Sequence, residues 1–451
     1  MSTDTSTFNS NSLEKRELTL GFIPLTDCAP LVVAREHGYF EKYGLQVSLS
    51  KETSWANIRD KVAIGILDGA QMLAPMPIAM SLGLGPIHKP MVTALSMDLN
   101  GNAITVSSAL YKSMCEHDSK AMSNGETTAI ALRKVVDARS KKGDRPLTFA
   151  VVFPFSSHNY ELRYWMAAAG IKPDRDVSII VTPPSQMVEQ LENGLIDGYC
   201  VGDPWNSLAV RKGLGHSLIT KYEIWNNSPE KVFGVTQEWA SQHPNTHHAL
   251  LLALLEASRW VDEPANRPEV AAMIAPGVYV NAPESVVRMS MAGTYQYSPG
   301  TLARALPDFN VFHRYAANFP WRSHASWFIT QMVRWGQIDT VLDITATAEQ
   351  VYRPDIYRRA AAQLGIQVPS VDYKPEGVHG ARWSLPEGSS AIALGADLFL
   401  DGMVFDPANP VGYLENFPVH NMSLTLDKLQ EINPALSPDT LTGSACEETM
   451  R

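Results

Sequence analysis

From Glu17 onward the chain alternates short apolar runs with segments whose apolar residues recur at helical spacing. Residues 18–23 predict a strand that stops at Pro24. Residues 30–37 predict a helix that opens on Pro30 and ends at Gly38. Strands follow at 45–49, 69–73 and 90–96. Ser54 is placed to cap a helix reaching Ile66, and Pro75 opens another. A polar stretch, 111–145, then interrupts the series and predicts one surface helix among loops. Beyond it the alternation resumes, with strands at 147–153, 177–181 and 197–201 and helices at 157–170, 185–193 and 204–212. Residues 231–236 predict one more strand. Helices dominate from there to Leu364, and past Gly365 periodicity fades into loops. Such a βαβα order implies an α/β fold with two mostly parallel sheets flanked by helices. The expected layout is a disordered tail at 1–16, a first lobe from 17–110 and 222–364, a second lobe at 111–221, and a loop-rich arm and tail at 365–451.

Composition narrows the function classes. With 451 residues, 45% hydrophobic and 19% charged, the chain can bury sizeable cores and is not of the disordered class. A net charge of −10 argues against a general nucleic-acid or anionic-membrane binder. Cys28, Cys115, Cys200 and Cys446 lie far apart with no CxxC pair, giving neither a disulfide scaffold nor a zinc signature. The opening MSTDTSTFNSNSLEKREL has no basic segment leading into the roughly 7–15 apolar residues of a secretory signal. A cytoplasmic location is therefore expected. No P-loop, strand-linked GxGxxG, HExxH or GxSxG occurs, so no catalytic residue, cofactor or metal is expected. His247 and His248 read as a surface pair on a helix.

Two α/β lobes place a ligand between them, at the carboxyl ends of the strands. The polar groups in those loops are Trp55, Gly101 and Asn102, His158, Gly202 and Asp203, and Lys231. Singly each has an ordinary reading: a rim aromatic, turn chemistry, a helix cap, a tight turn, a solvated charge. Together they are hydrogen-bond donors with one fixed positive charge and, apart from Asp203, no carboxylate, which suits a small anion.

These segments resemble the nitrate-binding branch of the bacterial ABC-transporter solute-binding proteins. The resemblance rests on LTLGFIPLTDCAPLVVAREHGYFEKYGLQVSLS, ETSWANIRDKVAIGILDGAQMLAPMPIAM, LNGNAIT, IDGYCVGDPWN and LFLDGMVFDPANPVGYL, and covers about 18–421. It implies the two-lobed periplasmic-binding-protein fold, with an anion held by Trp55, His158, Gly202, Lys231 and the residue at 102. The family carries Gln at that last position; Asn102 here is one methylene shorter, which bears on nitrate-versus-nitrite preference. In the bicarbonate-binding cousin an acidic residue replaces Lys231 and calcium is used, so the lysine implies nitrate or nitrite without metal. With no secretory signal expected, the resemblance points to the cytoplasmic nitrate/nitrite sensor of the NasS type. Such a sensor controls an RNA-binding antiterminator of the NasT type and itself touches neither nucleic acid nor membrane. The alternative is the receptor of a nitrate ABC transporter.

Overall fold

The computed structural model describes residues 12–386 and 391–436. The strands of its two large sheets, together with one short connecting strand, are β1 (Glu17–Phe22), β2 (Gln46–Lys51), β3 (Gly69–Leu73), β4 (Met91–Ser96), β5 (Leu99–Asn100), β6 (Asn102–Ser107), β7 (Leu147–Val151), β8 (Val177–Val181), β9 (Gly198–Gly202), β10 (Gly215–Thr220) and β11 (Lys231–Thr236). The first sheet has the order β2-β1-β3-β11-β4 and the second β10-β6-β9-β7-β8. Helices cover the sheets, which places the protein in the two-lobed α/β class expected of it.

The sheets are mixed rather than mostly parallel. Strand β11 runs antiparallel to β3 and β4, and β6 runs antiparallel to β9 and β10. Both reversals sit where the chain changes lobe. It leaves β4, turns at Gly101 (φ 90°) and enters the second sheet directly as β6, ahead of the expected boundary at 111. It returns between β10 and β11. Strands β6 and β10 are absent from the sequence reading because LNGN carries turn chemistry and GHSLIT lacks flanking alternation.

The polar stretch 111–145 holds two helices rather than one, Ser108–Asp118 and Thr128–Lys142. The first buries Leu110 and Met114, four residues apart; the second buries Leu132, Val135 and Val136. The arm beyond 365 packs firmly on the core. Phe399 stacks on Trp225 at 4.7 Å between ring centroids, and the Arg334 guanidinium lies 3.6 Å over Phe417. Residues 1–11 of the expected tail and 437–451 of the arm lie outside the described residues. Within the described part of that tail, Glu14 accepts hydrogen bonds from the Thr246 and Asn245 amides, and Lys15 pairs with Asp68 at 2.6 Å. Among the described residues no helix is long and apolar enough to cross a membrane.

Candidate functional site

The carboxyl ends of the strands meet between the lobes. Trp55 opens the helix Trp55–Ala63, where the Ser54 hydroxyl accepts the Asn57 amide at 3.2 Å. His158 sits in the first turn of the helix Ser157–Ala168, capped in the same way by Ser156 at 3.0 Å from the Asn159 amide. Serine favours these positions because its oxygen satisfies an amide that has no partner within the helix. Asn102 starts β6 and lies opposite Gly202, which ends β9. Lys231 starts β11. All five expected residues are buried and lie in the region where the two lobes meet.

The lobes are closed on one another. The Thr26 amide donates to the Asp203 carbonyl at 2.9 Å, and the Trp205 indole donates to the Pro24 carbonyl at 3.1 Å. Gly202 permits this approach. A Cβ there would stand 3.3 Å from Asn102 Oδ1, 3.4 Å from Leu25 and 3.5 Å from Asp27 Oδ2.

Carboxylates surround the donors, contrary to the reading of a site that is almost free of them. Lys231 Nζ pairs with Asp27 at 2.8 Å and with Glu230, and lies 5.6 Å from the Trp55 ring centre. Lys221 pairs with Glu230 at 2.8 Å and with Glu161. Asp98 accepts the Lys231 backbone amide at 2.9 Å, and Gln71 spans from the Ile23 amide to Asp27. A buried charge survives only when paired, and the titration behaviour shows how these groups share the load. Burial works to raise Glu230, but Lys221 and Lys231 outweigh it and hold the carboxylate well below its usual range. Burial raises Asp27 and Asp98 despite Lys231, and raises Glu161 despite Lys221. Lys231 loses some affinity for its proton to burial, but Asp27 and Glu230 more than restore it.

Two further corrections concern individual donors. His158 is not a charged partner: burial pushes it down to about 3, against the pull of Glu230, leaving a neutral ring. Its Nε2 stands 3.3 Å from Glu230, yet neither ring nitrogen has a hydrogen-bond partner. Asn102 spends its amide hydrogens on Glu161, 3.1 Å away, so the unpartnered atom it offers is the acceptor Oδ1. Trp55 Nε1 is a fourth buried polar atom of this cluster without a partner. Among the described residues no three His, Cys, Asp or Glu side chains form a metal-holding group.

Sequence reasoning did not single out Asp27, Gln71, Glu161, Lys221 or Glu230. Asp27 follows β1 in a loop at the same sheet end as Trp55, and Glu230 adjoins Lys231, so position alone could have drawn attention to both. Glu161 and Lys221 meet only through the tertiary fold.

A sequence profile described as the NMT1-like family matches residues 11–275. The chain is 40% identical over 432 residues to a nitrate import ATP-binding protein, NrtC, of Synechocystis sp., covering 94% of this chain and 59% of that one. It is 38% identical to a bicarbonate transport ATP-binding protein, CmpC, of Synechococcus elongatus, covering 91% and 56%. The chain therefore spans less than three fifths of the length of either of these curated relatives. The crystal structure of the periplasmic nitrate-binding protein NrtA from Synechocystis superposes with a TM-score of 0.80 at 30% identity, covering 91% of this chain and all of that one. That relative, matched over its whole length, is named as a periplasmic nitrate-binding protein.

Proposed function

The chain belongs to the NMT1-like family, and from that membership and the buried donors of its closed cleft we propose that it binds nitrate or nitrite between its lobes. The observation that carries this reading is the set of polar atoms at Trp55 and His158 that are buried beside Lys231 without partners. A buried donor left unpaired costs roughly 1–3 kcal/mol, and an oxyanion recovers that cost. Trp55 Nε1–H and one N–H of the neutral His158 donate to the anion oxygens. The Lys231 ammonium supplies the charge, for which the anion competes with Asp27 and Glu230. Asp27, already raised by burial, takes up a proton as the anion enters and so keeps the cluster near neutrality.

Calorimetric titration with nitrate, nitrite, bicarbonate and chloride tests this, on the native chain and on Trp55→Phe. The variant removes one N–H that has no protein partner. Stability is expected to fall by about 1–2 kcal/mol, because phenyl leaves part of the buried indole's volume empty, while nitrate affinity falls about tenfold or more, as for a lost charge-assisted bond. Bicarbonate, whose O–H can donate to Asn102 Oδ1, is the competitor to exclude. Binding of bicarbonate alone, or unchanged nitrate affinity in Trp55→Phe, overturns the assignment.

Full-length likeness to NrtA supports a role as the solute-binding component of a nitrate importer. Identity of 40% to a protein named as a nitrate import ATP-binding protein fits the same role. The second reading is a sensor that reports nitrate or nitrite to an RNA-binding antiterminator of the NasT type. Co-purification with and without nitrate separates the two. A permease retained in nitrate supports delivery; an antiterminator released by nitrate supports sensing.

A further inference from the structure

A cavity lies outside the interlobe cluster. It measures about 670 Å³ and is walled by the ends of the helices Pro244–Asp262, Arg267–Ile274 and Glu284–Met291 and by the segment 307–314. Arg267, only 7% exposed, lines it. One guanidinium nitrogen of Arg267 donates to Asp262 at 2.7 Å and to the Asn310 carbonyl at 3.0 Å, while its Nε has no partner. Arg314 is half-buried beside it, held by Asp262 at 2.6 Å and Asp308 at 3.0 Å. Arg259, Arg288 and Arg382 are exposed lining residues. Arg288 pairs with Glu284; Arg259 and Arg382 form no ion pair among the described residues. Five guanidinium groups thus meet three lining carboxylates, or four counting Glu284, in a protein of net charge −10. Scattered surface arginines need no ligand. Five guanidinium groups around one cavity, two of them without an ion pair among the described residues, give a local excess of positive charge that suits an anion. Arginine forks match carboxylate and phosphate groups in pairs. The volume lies within the range of roughly 300–1,000 Å³ that holds drug-sized ligands, far more than a four-atom anion fills.

The same walls reach the anion cluster. Asn310 belongs to a two-residue strand, Asn310–Val311, paired with β5, and Asn100 of β5 donates to the Asp308 carbonyl at 2.7 Å. Asn310 Nδ2 donates to the Ser290 carbonyl at 3.1 Å. Its Oδ1 lies so close to Gly101 that a Cβ there would stand 2.4 Å away. The next residue is Asn102. Helix Glu284–Met291 also packs against the second lobe's helix Trp205–Arg211.

We propose that this arginine-lined cavity is a second binding site, for a small organic anion bearing two or more carboxylate or phosphate groups, and that its occupancy sets the affinity of the interlobe site. The coupling half rests on the nitrate reading above; the binding half does not. Calorimetry without nitrate, using citrate as the carboxylate probe and fructose 1,6-bisphosphate as the phosphate probe, tests the site on its own. At least one probe is expected to bind the native chain and to bind the double variant Arg259→Ala/Arg382→Ala at least tenfold more weakly. Both arginines are exposed, so the fold should persist, and nitrate titration of the variant without probe should match the native chain. Saturating probe should then change nitrate affinity in the native chain at least fivefold. Binding of neither probe, or equal binding by the variant, overturns the site. Binding with no change in nitrate affinity overturns its role as an effector site. Failure of nitrate to bind without probe would fall on the earlier reading and leave the cavity test standing.

Discussion

His247 shows what burial does to a single titratable group. It occupies the helix Pro244–Asp262 next to the half-buried His248, where the sequence suggested a surface pair, yet it is 2% exposed and its Nε2 has no partner. Burial pushes its pKa down to about 4, helped by His248, Arg359 and Arg353. In the unfolded chain the ring takes up its proton near 6.5. Between those values the unfolded state binds more protons than the folded one. Stability is therefore lost as pH falls from 6.5 toward 4, by up to about 1.4 kcal/mol per pH unit from this residue. His247→Leu keeps an apolar group in place and removes the titration. Urea unfolding at pH 6.5, 5.5 and 4.5 is expected to give a shallower pH slope in the variant, by about 1 kcal/mol per unit. Equal slopes would mean that the native ring protonates where it sits. Periodicity marked this helix correctly but gave no depth for its polar residues, because the helix Pro354–Gln363 that packs on it comes from distant sequence.

At the scale of elements, the two capped helices are what aim the site. Ser54 and Ser156 fix the first turns that carry Trp55 and His158, and both helices were legible from cap and periodicity. Ser156→Ala should cost about 1 kcal/mol of stability. It should also weaken nitrate binding, because the turn that orients His158 frays. Urea unfolding and anion titration on the same preparation check both, and lost stability with unchanged affinity would detach the cap from the site. Other elements were less legible. Strand β11 was found from its run KVFGVT, but not its direction, since an apolar run carries no sign of orientation. Trp55, His158 and Lys231, which the structure brings together, were singled out from their places after or at strands. The carboxylates that neutralise them were not: Glu161 lies mid-helix on an inward face, and Lys221 reaches it only once the second sheet has formed. Asn102 was found, but its hydrogen-bonding sense was reversed because its partner Glu161 was unknown.

For the whole molecule the question is how a ligand reaches a cluster that is closed off from solvent. The lobes must part, and the bonds that hold them shut at this edge are the Thr26–Asp203 and Trp205–Pro24 contacts. Both leave the site residues untouched. Trp205→Phe removes one of them while keeping an aromatic side chain at that position. A net hydrogen bond contributes about 0.5–1.5 kcal/mol, so the closed state should lose about two- to tenfold in population relative to the open one. If nitrate binds in the closed cleft, its dissociation rate should rise by a comparable factor, while association, which starts from the open state, should hold or quicken. Stopped-flow displacement measures the first, and small-angle scattering of the nitrate-free variant should show a larger radius of gyration than the native chain. A variant that scatters like the native chain and releases nitrate at the native rate would show that this contact does not latch the lobes. The opening would then have to run through the opposite edge, where Tyr160 donates to Gln337 at 2.7 Å and Tyr164 to Asp401 at 2.9 Å. In that case the C-terminal arm, rather than the Leu25–Asp27 loop, would be the part of the molecule that governs access.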